Sequence, residues 1–223
     1  MHADQITELL APFLDGRLSE AQMRAVSTHL DLLLRWNERV NLTSVRRPEE
    51  ILTRHFGESF FLAQNLFTSD WRGRVVDLGS GAGFPGVPIA ISAPDAQVTL
   101  IESNNKKATF LRELTRALKL PGMSVFAGRA EDFEQGAAPD VVTLRAVEKF
   151  DAAVRVAASL LRDRAQADAD REPRRLAMLV GAGQVERAKA LVRDFTWESP
   201  VPTPGSDNRV VLIGNLFGQE SAK

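Results

Sequence analysis

The 223-residue sequence predicts an α/β fold: a mostly parallel, doubly wound sheet, preceded by a helical extension and ended by an antiparallel hairpin. Three observations predict it. Residues 3–66 carry apolar side chains at helical spacing. From Arg74 onward, short apolar segments alternate with helical ones, as in a parallel sheet with crossover helices. Between the first such pair, Val75-Val76-Asp77-Leu78 runs into Gly79-Ser80-Gly81-Ala82-Gly83-Phe84-Pro85-Gly86, a buried strand opening into a turn where backbone can approach a ligand closely.

The elements follow in order. Ser19-Glu20-Ala21-Gln22 is a capping box, with Met23, Val26, Leu30, Leu33 and Leu34 at helical spacing after it. That helix is expected to stop before Asn41-Leu42-Thr43-Ser44. Another starts near Pro48, a residue suited to the first helical position, and carries Arg54, His55, Phe60 and Phe61. Strands are expected over 75–78, 97–102, 123–127, 140–144 and 176–180, with helices over 86–92, 106–118, 151–161 and 184–192. Residues 195–199 and 210–213 read as the closing hairpin around a Pro- and Gly-rich loop. The charged, alanine-rich stretch from Arg162 to Arg175 has no apolar period and reads as an exposed loop. The organisation expected is a helical extension over 1–70, a core over 71–218 and a tail over 219–223.

Composition excludes several functions. A hydrophobic content of 44% is enough for a substantial core. The net charge of -1 supplies no general basic field, so a nucleic-acid contact has to come from a local patch. The absence of cysteine removes disulfides, thiolate metal sites and cysteine nucleophiles; the three histidines lack ligand spacing, so no metal is expected. The N-terminus has no basic region followed by an apolar one, and no apolar run would span a bilayer. A cytoplasmic monomer without membrane contact is expected.

Ligands of open α/β sheets sit beyond the carboxyl ends of the strands. Asp77 and the turn Gly79, Gly81, Gly83 and Phe84 follow the first strand there, and Glu102 ends the second, placed to accept hydrogen bonds from ribose hydroxyls. Ala130 and Glu131 follow the third, suited to line an adenine pocket, and Arg145 follows the fourth, facing a second substrate. Any one of these is ordinary in isolation; together they favour a nucleoside-bearing cofactor. Gly81-x-Gly83-x-x-Gly86 satisfies the dinucleotide fingerprint, while Asp77-x-Gly79-x-Gly81-x-Gly83 has the form of an S-adenosylmethionine (AdoMet) loop. Pro85 and Pro88 remove amide donors that a pyrophosphate wants at the helix start, which favours AdoMet.

Several segments carry a more specific resemblance: Trp36-Asn37-Glu38-Arg39-Val40-Asn41-Leu42-Thr43-Ser44-Val45-Arg46, Arg54-His55 with Glu58-Ser59, Asp77 to Gly86 with Pro88, Lys106-Lys107, Phe110-Leu111, Gly128 to Glu131, and Arg145-Ala146. From about Trp36 to Val211 the chain resembles the RsmG (GidB) family of AdoMet-dependent methyltransferases. The resemblance implies a Rossmann-like class I methyltransferase fold and methylation at N7 of a guanosine in 16S ribosomal RNA, guanosine 527 in that family. The substrate is then 16S RNA or a precursor of the small ribosomal subunit. By the same resemblance, Gly79, Phe84, Ala130 and Glu131 contact the cofactor, and Arg145 stands at the mouth as catalytic and cofactor-binding residue. The family's Lys-Gly after the fifth strand is Val180-Gly181 here, and the serine before Arg-Ala is Leu144. Candidate RNA contacts are Arg46, Arg47, Arg54 and His55 before the sheet, Lys106 and Lys107 after the second strand, and Arg129 after the third. The alternatives are a small-molecule AdoMet methyltransferase, a NAD-dependent oxidoreductase, disfavoured by the absence of tyrosine and cysteine, and a non-catalytic ribosome-assembly factor.

Overall fold

The computed structural model describes residues 2–134, 138–162 and 172–217. Most of the loop expected between Arg162 and Arg175, and the tail expected over 219–223, lie outside these residues.

The chain starts with α1 (Ala3–Leu10) and α2 (Glu20–Asn37). Ser19 and Gln22 cap α2 reciprocally, each side chain serving the other's backbone N–H. Its apolar stripe buries Val26, Leu30 and Leu33, and His29 lies in that stripe. At the end of α2 the Asn37 side chain folds the following turn around itself. Its Oδ1 accepts from the backbone N–H groups of Leu42 (2.9 Å) and Thr43 (3.0 Å), and its Nδ2 donates to the Thr43 carbonyl.

Next come α3 (Pro48–Ile51) and α4 (Glu58–Gln64), joined by a wider π turn over Leu52–Gly57. The sequence predicts one uninterrupted helix here. The Arg145 guanidinium donates to the carbonyls of Arg54 (2.5 Å) and His55 (3.5 Å) within this turn, and the Ser59 hydroxyl donates to the His55 carbonyl as well (2.6 Å).

The sheet contains β1 (Arg74–Leu78), β2 (Gln97–Glu102), β3 (Met123–Ala127), β4 (Val141–Arg145), β5 (Arg174–Gly181), β6 (Thr196–Trp197), β7 (Val201–Pro202) and β8 (Arg209–Leu216). Its order is β3-β2-β1-β4-β5-β8-β6, with β7 also paired to β8. Strands β1 to β5 are parallel; β8 runs antiparallel between β5 and β6. The first arm of the expected hairpin shrinks to the two short pieces β6 and β7, because Pro200, Pro202 and Pro204 cannot donate to a ladder. Its partner β8 grows to eight residues by pairing along all of β5.

The crossover helices are α5 (Gly86–Ser92), α6 (Asn105–Leu118), α7 (Phe150–Arg162) and α8 (Val185–Leu191). Alternate strand residues face opposite ways. Val75, Val98, Leu100 and Val141 join one apolar cluster with α2, α4, α5 and α6, while Val76, Ile101, Val142 and Leu144 join the other with α7 and α8. The N-terminal helices therefore share a core with one face of the sheet. Chain order reverses between β1 and β4, and that reversal opens a crevice at the carboxyl edge. Among the described residues, no helix is long and apolar enough to cross a membrane.

Replacing Asn37 with Ala strands the buried N–H of Leu42 and that of Thr43. The expected cost is about 2–4 kcal/mol, read as a lower urea midpoint at unchanged slope.

Candidate active site

The turn after β1 has most of its amides bonded within the protein. Gly79 and Ser80 donate to the Ile101 carbonyl, Gly83 and Phe84 to the Ser80 carbonyl, and Val87 to the Gly83 carbonyl. Gly81 donates to Glu102 Oε2 (3.0 Å) and Gly86 to Asp77 Oδ2 (3.1 Å). Gly83 has φ +89, and a Cβ there would lie 2.8 Å from Val87 Cγ2 and 3.3 Å from the His29 ring. Gly81 is different: at φ +54 its hypothetical Cβ meets nothing nearer than the Gly79 carbonyl at 3.8 Å, so the turn is open to close approach at this point.

Two expected contacts are corrected. Asp77 is fully buried, with Oδ1 accepting from the Thr143 hydroxyl (2.8 Å) and Oδ2 from Gly86. Burial pushes its carboxyl up to about 6, against the pull of those donors. It braces the turn against β4 from below instead of meeting a ligand directly. The Phe84 ring also turns inward, stacked on His29 (4.8 Å between centroids) and edge-on to Phe56 (4.9 Å), so only its backbone belongs to the turn's surface side. Glu102 keeps its expected place at the end of β2. Its Oε1 accepts from Asn104 N (2.7 Å) and its Oε2 from Gly81 N; an ionised carboxylate retains a further lone pair on each oxygen.

Arg145 ends β4 as a cation inside the protein. Its Nη2 donates to Glu58 Oε2 (3.1 Å) and to the Arg54 carbonyl, and burial lowers its pKa to about 10. The other Glu58 oxygen, Oε1, accepts from Nε of Arg209 (2.6 Å), with Nη2 of the same guanidinium in ion-pair contact at 2.6 Å. Ion pairing and a place at the site are therefore not alternatives for Arg145: the pair exists, and it sits at the strand end. Ala146, the next residue, has φ +48, an uncommon conformation for a residue with a Cβ.

His55 is a third correction. Expected as an RNA-binding cation, it is mostly buried, and desolvation with Arg145 and Arg54 alongside lowers its pKa to about 3. It is neutral at pH 7, bonded through Nε2 to the Thr43 hydroxyl (2.7 Å). The remaining cations lie on several elements. Lys106 and Lys107 begin α6 after β2, and Arg129 follows the adjacent β3 and pairs loosely with exposed Glu131 (3.9 Å) beside buried Ala130. Arg54 is joined to the site through its carbonyl. Arg46 is fastened to the Asn37 carbonyl (2.7 Å) and Asn41, while Arg47 is exposed near Glu49. Val180, standing where the resemblance expects lysine, is buried in the apolar cluster; Arg209 of β8 is in register with the adjacent Gly181.

Sequence reasoning missed three residues. His29, buried on the apolar face of α2, bonds the Ala82 carbonyl through Nε2 (2.8 Å); desolvation lowers its pKa to about 4. Its register beside Val26, Leu30 and Leu33 was the available signal. Glu58 is a lone acid among Phe56, Phe60 and Phe61, a pattern that marks a buried charge needing partners. Arg209 carries no local signal. Among the described residues no cluster of His, Asp or Glu could hold a metal ion.

Comparison with known proteins gives the following. Residues 22–169 match the family model described as rRNA small subunit methyltransferase G (GidB). A Stenotrophomonas maltophilia (strain K279a) protein named ribosomal RNA small subunit methyltransferase G is 44% identical over 149 residues, 67% of this chain and 66% of that protein. The match thus spans just under two thirds of the relative's length. A putative O-methyltransferase from Klebsiella pneumoniae superposes with a TM-score of 0.59 at 17% identity, covering 86% of this chain and 90% of that one. P. horikoshii TYW2, solved in complex with MeSAdo, gives 0.53 at 18% identity over 75% and 63% of the two chains. At such identities these structures show a shared fold.

The buried titratable groups predict a pH dependence. His29 and His55 have folded pKa values below the ordinary 6.5, so their contribution is complete above pH 6.5 and is lost as pH falls through about 4 and about 3. Asp77 is raised, so its contribution is complete below 3.8 and is lost as pH rises through about 6. Burial raises the Glu58 carboxyl as well, so Asp77 and Glu58 together oppose the two histidines between pH 6 and pH 4.5. Removing one histidine shifts that balance: the unfolding free energy of His55→Asn should fall less steeply than the parent's as pH drops through this window, as measured by urea unfolding at several pH values.

Proposed function

The chain belongs to the rRNA small subunit methyltransferase G (GidB) family, and from that premise we propose that it methylates N7 of a guanosine in 16S ribosomal RNA with AdoMet. The target is the guanosine named by the family resemblance, in the RNA itself or in a precursor of the small subunit. The protein acts as a cytoplasmic monomer; residues 71–218 carry the cofactor and residues 1–70 complete the RNA-facing side.

The amide inventory of the turn after β1 carries this reading. A pyrophosphate needs several backbone N–H groups aimed at it, and here the amides of Gly79, Ser80, Gly81, Gly83, Phe84, Gly86 and Val87 are committed within the protein, leaving that of Ala82. A phosphate-free nucleoside cofactor makes no such demand. It needs close backbone approach, available at Gly81, and an acceptor for ribose hydroxyls, available on Glu102.

AdoMet supplies, when bound, a methyl group on a sulfonium, which an unprotonated ring nitrogen accepts without releasing a proton. The chain accordingly needs no general base, and its buried histidines are neutral and already bonded through Nε2. Its task is alignment, which in favourable cases accounts for roughly 7–11 kcal/mol of barrier. Arg145 has five N–H donors, of which Nε–H and one Nη1–H find no acceptor among the described residues. We assign these to guanine O6 or a neighbouring phosphate. Lys106 and Lys107 stand in the first turn of α6, where the helix dipole disfavours cations. The fold itself gains nothing from that placement, whereas an RNA phosphate would.

Mapping 7-methylguanosine in 16S RNA from cells with and without the gene tests the reading: one guanosine should lose its mark, and an identical map overturns it. Arg145→Ala should abolish transfer while calorimetry finds AdoMet affinity within about threefold of the parent. Unchanged turnover would remove Arg145 from the reaction. Changing Lys106 and Lys107 together to Gln should weaken RNA binding and flatten its dependence on log salt by about 1–2.

A further inference from the structure

We infer that Glu58 is a positioning residue for Arg145: fixed from behind by Arg209, its carboxylate sets the orientation in which the guanidinium meets the substrate base. The inference rests on the role proposed above for Arg145. Three observations lead to it.

Glu58 is 2% exposed and divides its oxygens between two arginines, Oε2 to Arg145 and Oε1 to Arg209. Burying an ion pair is costly, and well-packed apolar residues in place of the whole Arg145–Glu58–Arg209 group would serve stability as well or better, although losing Glu58 alone would strand the Arg145 charge. Stability alone therefore gives no reason for this charged group, whereas orienting a guanidinium does. Next, Glu58 directly follows the π turn, whose Arg54 and His55 carbonyls accept from the same guanidinium. One short segment, residues 54–58, thus holds one edge of Arg145 with three acceptors and leaves Nε and part of Nη1 for a ligand. Finally, the backbone beside Arg145 is held in an unfavourable conformation, with Ala146 at φ +48. Such conformations persist where surrounding contacts over-determine them, often at functional sites. Arg145 is thereby constrained at both its backbone and its tip.

A residue acting through Arg145 loses its influence once Arg145 can no longer be oriented. The test is a double-mutant cycle with Glu58→Gln and Arg145→Lys, which keeps the charge and loses the planar fork. Turnover at saturating 16S RNA is expressed per AdoMet-binding site counted by calorimetry, so misfolded protein does not enter. Glu58→Gln should lower kcat about tenfold or more, with AdoMet affinity within about threefold, and should have less than about twofold further effect in the Arg145→Lys background. An equal factor in both backgrounds, or unchanged kcat per site, overturns the inference while leaving the proposed activity standing. No transfer by the unmodified protein overturns both. If Glu58→Gln fails to fold, Arg209→Gln at the more exposed end takes its place in the cycle. Its kcat loss, about threefold, should likewise vanish beside Arg145→Lys, and equal factors again overturn the inference.

Discussion

A tight turn has to find partners for its backbone N–H groups, and the turn between β1 and α5 finds most of them in itself and in the neighbouring strands. The end of β2 contributes the Ile101 carbonyl and the Glu102 carboxylate; β1 contributes Asp77 from below, itself held by Thr143 of β4. Each donor left unpaired would cost about 1–3 kcal/mol, so the turn's shape is tied to the register of three strands. The same pairing leaves the turn suited to a ligand that wants close approach without amide donation.

The N-terminal helices belong to this arrangement. His29 of α2 bonds the Ala82 carbonyl inside the turn, and Phe84 packs between His29 and Phe56. Trp36 bonds Glu113 of α6, and Asn37 and Thr43 connect the end of α2 to His55. Glu58 then reaches across to β4 and β8 at once. Residues that read in the sequence as an appended helical segment are therefore structural neighbours of the glycine turn and of the strand end that carries Arg145. The Trp-Asn-x-x-x-Asn-Leu-Thr-Ser segment that carries the resemblance owes much of its composition to bracing.

Most of the fold was legible because its signals are local. Short apolar runs located β1 to β5, and helical spacing with the Ser19 cap located α2. The candidate site was legible as far as the strand-end rule reaches: it singled out the glycine turn, Glu102, Ala130, Glu131 and Arg145. Side-chain direction and ionisation lay beyond it. A one-residue difference in facing separates an Asp77 that meets a ligand from one that braces a turn, and nothing near His55 in the sequence reports the arginines that keep it neutral.

The sequence by itself determined the α/β class, the order of elements, the glycine turn and the family to which the chain belongs, since each is written in neighbouring residues. Only the tertiary structure decided that Phe84 and Asp77 face inward, that the 48–64 helix opens into a π turn, and that Glu58 lies between Arg145 and Arg209. The last depends on partners separated by 87 and 151 positions along the chain, and the facing of Asp77 on one 66 positions away. Burial and charge pairing at such separation arise when the sheet brings distant segments together, and no local pattern of residues encodes them.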